Sequence, residues 1–167
     1  MGGDVGDFMT AIDLFLARSP IAEELAGHFK GIEPREIVVG WRRGSSVKYN
    51  GPELKELWMP LKIPFNPEGS TLELVRSCDK CGRREYKYLG IEEPPHEEKI
   101  EDRWEMVARR PRKPGMGVIL PESALQGCDF FDYGNNFHMC TARAKEYIES
   151  RGWTNIEFIE YGEVIED

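Results

Sequence analysis

The stretch Ser70–Leu89, STLELVRSCDKCGRREYKYL, constrains this chain more than any other. Thr71 to Arg76 alternates as a half-buried strand does, and Tyr86 and Tyr88 alternate with charged residues further on. The spacing predicts two strands joined through Cys78-Asp-Lys-Cys-Gly-Arg83. Two thiolates three positions apart can converge on one ion. A glycine directly after the second cysteine permits the φ > 0 turn that aims backbone N–H groups at sulfur. The pattern reads as a metal knuckle at a hairpin tip, and Zn2+ is the ion it suits. A closed structural site needs four ligands. Cys78 and Cys81 supply two, Cys128 and Cys140 are candidates for the others, and His138 is a further one. Cys128 and Cys140 form no second C-x-x-C, so plain core among aromatics (Cys128) and a small buried thiol before a helix cap (Cys140) stay open as readings. A redox dithiol is the other alternative. It would open a helix, and Gly82-Arg-Arg-Glu-Tyr-Lys-Tyr88 does not read as one, although Arg83 and Arg84 favour thiolate.

A length of 167 residues suits one domain with a real core, and eight Phe, six Tyr and four Trp argue against disorder. No apolar run is long enough to span a bilayer, and the N-terminus is acidic where a signal peptide is basic. These features lead us to expect a cytoplasmic protein with reduced cysteines and no membrane partner. A net charge of −8 makes nucleic acid a poor main partner and suits a basic protein.

Along the chain, Phe8, Ile12, Phe15 and Leu16 recur at helical spacing and predict a short helix over 8–17. Ser19-Pro20 marks a helix start, with Ile21, Leu25 and Phe29 on one stripe and Gly31 as the stop. Glu36–Trp41 reads as a buried strand. Residues 52–67, with four prolines, read as irregular with extended pieces pinned by Leu54, Leu57, Trp58, Leu61 and Ile63. Residues 92–115 read as a charged loop whose acidic first half attracts the Arg109–Lys113 cluster. A strand is expected over 116–120 and a strand or extended piece over 128–133, with a capped turn or short helix over 121–127 between them. A helix over 142–151 should be capped by Thr141 and stopped by Gly152, and a closing strand should cover 153–161, with Val164-Ile165 as a further extension of it. The expected fold class is α+β: one domain over 1–167, helices packed on a mostly antiparallel sheet, with the Cys78 hairpin projecting.

No hydrolase, metalloprotease or phosphate-loop pattern is legible, so the expected role is binding and not catalysis. The acidic stretches 92–105 and 157–167 are candidate contacts for a cationic partner. The alternative is a zinc-ribbon-like accessory protein on nucleic acid, with Arg83, Arg84, Lys87 and Arg109–Lys113 as its footprint.

The chain resembles the double-CXXCG motif proteins, a bacterial family placed with immunity proteins of polymorphic toxin systems. The resemblance rests on Cys78-Asp-Lys-Cys-Gly82 and on Leu125-Gln-Gly-Cys-Asp-Phe-Phe131. It also rests on Thr141-Ala-Arg-Ala-Lys-Glu-Tyr-Ile148 and Asn155-Ile-Glu-Phe158. It covers roughly the last hundred residues, and this chain has one C-x-x-C-G, not two. The resemblance implies a non-enzymatic protein that neutralises a cognate toxin, a partner that would be basic if the acidic balance is matched.

Overall fold

The computed structural model describes residues 6–11, 14–37, 51–66, 69–100, 103–134 and 137–167. In chain order the elements begin with strands β1 (Phe8–Ala11) and β2 (Leu14–Arg18), helix α1 (Ser19–His28), and strands β3 (Glu33–Glu36), β4 (Leu54–Trp58) and β5 (Lys62–Ile63). They continue with β6 (Leu72–Ser77), β7 (Arg84–Tyr88), β8 (His96–Ile100), β9 (Arg103–Val107) and β10 (Val118–Pro121). A 3-10 turn (Glu122–Leu125) leads to β11 (Phe130–Tyr133), β12 (Phe137–Cys140), α2 (Ala142–Ser150) and β13 (Gly162–Ile165). The class is α+β, with small and mostly antiparallel sheets. In place of one main sheet there are five among the described residues, of two to four strands, and β5 with β11 and β10 with β13 pair in parallel. Among the described residues no helix is long and apolar enough to cross a membrane. The chain gathers into two compact units, Met1–Phe65 with Leu125–Glu157 and Asn66–Ala124 with Phe158–Asp167.

The first unit holds the sheet β1-β2-β4-β3, the sheet β12-β11-β5 and both helices. The helix expected over 8–17 is instead the β1–β2 hairpin, with Phe8 opposite Ala17 and Met9 opposite Leu16. A ten-residue helix is marginal on its own. The β2–β4 ladder gives the same backbone partners, and Phe8, Leu16 and Ala17 are buried in the process. Helix α1 forms where expected and buries Ile21, Ala22 and Leu25, but its N-cap is Arg18, with no side-chain cap bond, and Ser19 is already helical. Gly31 then turns with φ +88°, and a Cβ there would meet the Phe130 carbonyl oxygen. The strand expected over Glu36–Trp41 lies mostly outside the described residues; β3 precedes it. Leu54, Leu57 and Ile63 anchor the proline-rich segment as expected, and all four residues of β11 are buried. Thr141 caps α2 by accepting from the Ala144 N–H, and Gly152 follows the helix with φ +65°.

The second unit is different in kind. Val118 and Leu120 are its buried apolar side chains among the described residues. It comprises two antiparallel ribbons, β6–β7 and β8–β9, and the parallel pair β10–β13. β6 and β7 pair antiparallel on either side of Cys78–Arg83, and β6 is exposed from Glu73 onward and not half-buried. The segment read as a charged loop forms the β8–β9 ribbon, in register from His96 opposite Val107 to Ile100 opposite Arg103. The closing strand also shifts. Residues 153–161 are irregular because Asn155 takes φ +63° and its side chain donates to the Phe8 carbonyl at 2.5 Å. The strand begins at Gly162 instead, after the Val118 N–H has bonded to the Tyr161 carbonyl at 2.9 Å.

Candidate functional site

Two places carry chemistry in the second unit. The first is the connection between β6 and β7. The Cys78 N–H donates to the Arg83 carbonyl at 2.8 Å and the Gly82 N–H to the Cys78 carbonyl at 2.8 Å, closing a tight turn. Gly82 has φ +70° and open space where a Cβ would lie, so glycine is there for backbone conformation and not for close packing. The Cys81 thiol, the Cys81 N–H and the Lys80 N–H point at the Cys78 sulfur and hold its pKa below the ordinary thiol value. Cys81 is exposed and Cys78 half-exposed. Lys80, Arg83 and Arg84 lie beside the pair in sequence.

The other two candidate ligands lie in the first unit. Cys140 stands opposite Phe130 in the β11–β12 ladder, and Cys128 lies two residues before Phe130. Burial pushes the Cys140 thiol up to about 12, so its surroundings favour the neutral thiol over the thiolate that a metal needs. The remaining candidate, His138, bonds through Nδ1 to Asp132 Oδ1 at 2.6 Å, which leaves its Nε2 outside that bond, and the buried Asp132 carboxylate also takes Lys62. Asp129, equally buried, accepts from the Thr141 hydroxyl and the Arg143 Nε, each at 3.0 Å. Asp132 ties β11 to β5 and β12, Asp129 ties the approach to β11 to the start of α2, and neither was singled out from sequence. Only their flanking aromatics marked the strand as core. Among the described residues no three His, Cys, Asp or Glu side chains group as a metal site.

The second place is the charged segment from 92 to 113. The attraction expected between its halves is present in detail. Arg109 donates to Glu92 at 2.6 Å and Arg110 to Glu93 at 3.3 Å, while the Glu93 and Arg110 backbones exchange bonds at 2.9 Å. Arg112 is turned to the C-terminal strand. Its Nε donates to Glu160 and its Nη2 to Glu163, each at 2.8 Å, and its Nη1 reaches the carbonyls of Lys113 and Met116 at 3.1 Å. The Glu160 carboxylate holds the guanidinium pKa above its usual value. The ribbon beyond these clasps is bare. Trp104 and Met106 are 69% and 67% exposed, and a spacing of two puts them on one face. On the other face Glu98 stands directly opposite Glu105. The signal in the sequence was the alternation Trp104-Glu-Met-Val107, which the surrounding charge concealed.

No family model, curated protein or solved structure matches the chain.

Proposed function

We propose that this chain is a non-enzymatic binding protein of the immunity type, which presents its β8–β9 ribbon to a basic protein toxin. The observation that carries this reading is the ribbon itself. A two-stranded ribbon with no buried face is marginal in water. This one keeps a tryptophan and a methionine exposed side by side, residue types enriched in interface cores. On its reverse face, like charges oppose each other at Glu98 and Glu105, an arrangement that costs stability until a cation lies between them. A partner with a basic rim around an apolar patch would relieve both. The Cys78–Gly82 turn is the metal-binding element of the same reading, with Zn2+ the ion its sulfur donors suit. The zinc-ribbon alternative on nucleic acid loses ground because Arg109, Arg110 and Arg112 are already engaged by glutamates.

The test is recovery of partners on the tagged full-length chain from its host cells, washed at low and then high salt. The wild type is compared with Trp104→Ala/Met106→Ala and Glu98→Lys/Glu105→Lys. The expected result is one basic protein in near-equal amount on the wild type, reduced at least tenfold on both variants. Equal recovery by all three would remove the ribbon from the reading. Recovery of only nucleic-acid-bound material, lost at high salt, would move the protein to the alternative.

A further inference from the structure

We propose that Cys78 and Cys81 form half of a tetrahedral Zn2+ site, and that the same turn of a second copy of this chain completes it. The inference rests on the metal reading of the turn and is independent of what the β8–β9 ribbon binds. All four cysteines and all three histidines of the chain lie among the described residues. At the β6–β7 turn the donors stop at two among the described residues, where no third His, Cys, Asp or Glu joins them in a group. A structural Zn2+ site is closed by four ligands, so a two-thiolate turn is stable as a metal site only when something else brings two more.

The turn is built to be used from outside. It lies at the far end of a ribbon whose tip is exposed, and the space over Gly82 is open. The turn that carries both cysteines is closed by its own backbone, Cys78 N–H to the Arg83 carbonyl and Gly82 N–H to the Cys78 carbonyl, each at 2.8 Å. A two-fold axis through the ion would give each copy an identical role, the commonest arrangement in homo-oligomers. Charge agrees with this partner. Lys80, Arg83 and Arg84 against Asp79 make the turn basic within a chain of net charge −8, and two such turns repel each other while the thiols are neutral. Binding one Zn2+ to four thiols releases protons to solvent and leaves a tetrathiolate centre of net charge −2. The surplus cations of the two turns then offset that charge.

The experiment loads the purified full chain with Zn2+ under reducing conditions and reads metal content and mass together. Cobalt(II) replaces zinc in a parallel sample, because its spectrum reports the number of thiolates. The expected result is one ion per two chains, a doubling of the 19.2 kDa mass and a four-thiolate cobalt spectrum. A chelator should return the monomer, and Cys81→Ser should abolish all of these while leaving the circular dichroism unchanged. No bound metal would overturn the inference together with the metal reading. One ion per chain in a monomer would overturn only the pairing. Loss of the four-thiolate spectrum in Cys128→Ala or Cys140→Ala would do the same, by showing that a single chain supplies all four sulfurs. A Cys78–Cys81 disulfide that persists under the reductant and excludes metal would assign the pair to redox chemistry instead.

Discussion

Arg112 donates to Glu160 at 2.8 Å from a side chain that is only 10% exposed. The same guanidinium reaches Glu163 and two carbonyls, so one residue fastens the C-terminal segment to the rest of the second unit. Its two carboxylate partners are more exposed than it is, which moderates the net gain. Arg112→Met is expected to cost about 2 kcal/mol, the scale of hydrogen bonds to charged groups plus the acceptors left behind. Urea denaturation should show a lower midpoint, and a midpoint equal to the wild type would mean that the clasp contributes nothing. Charge reversal at Glu160 or Glu163 attacks this clasp from the other side, so those variants report folding before they report partner binding.

Gly162 controls how closely β13 approaches β10. A Cβ there would run into the Val118 carbonyl oxygen and the backbone behind it, and backbone cannot swing aside as a flexible side chain can. Gly162→Ala should cost about 1–3 kcal/mol, the usual range for overpacking. Amide hydrogen exchange should locate the damage. Protection is expected to fall across Val118–Pro121 and Gly162–Ile165, while α1 keeps its own. Unchanged exchange in β10 would place the two strands further apart than the register implies.

What the sequence revealed depended on whether local and distant demands agreed. Helix α2 was legible with its cap because Thr141, the apolar stripe at Ala144 and Ile148, and Gly152 all point to one answer within a dozen residues. The β6–β7 hairpin was legible because its strands are adjacent and its turn chemistry is explicit. Phe8–Arg18 misled because apolar residues at 8, 12, 15 and 16 satisfy a helical period, while the deciding partner, β4, lies some forty residues away. The closing strand was displaced by Asn155, whose left-handed backbone and bond to Phe8 are tertiary facts. At the candidate site the sulfurs were legible from spacing. The exposed face of Trp104 and Met106 was not, because a charge run looks the same whether it is loop or ribbon.

Cys140 predicts an alkaline weakness. In the unfolded chain this thiol loses its proton near 9.0, whereas burial in the folded state holds it until about 12. Between those values the folded state binds more protons than the unfolded one, so stability is complete below pH 9 and falls as pH rises. The full gap corresponds to about 4 kcal/mol by the linkage relation. Chemical denaturation from pH 8 to 10 should show that decline beginning before the tyrosines titrate, and Cys140→Ala should flatten it. An identical decline in the variant would assign the effect to other groups. Alkylation at pH 8 offers an independent check, because Cys78 should react well before Cys140.

Glu98 and Glu105 allow stability and binding to be separated. They stand opposite each other on β8 and β9, so Glu98→Lys converts a like-charge pair into an opposite-charge one. Such cross-strand pairs differ by about 0.2–1 kcal/mol, enough to slow exchange of the ribbon amides measurably. The same substitution should weaken capture of a basic partner, since it removes an acidic contact and adds a repulsive one. Trp104→Ala should leave global stability within about 0.5 kcal/mol, because the side chain is mostly in water, yet reduce partner recovery. Slower exchange with weaker capture in Glu98→Lys would mean that the opposed carboxylates are kept for the partner at the expense of the free protein. If exchange slows and capture is unchanged, the partner sits elsewhere, and the ribbon's charge pattern is then only a cost.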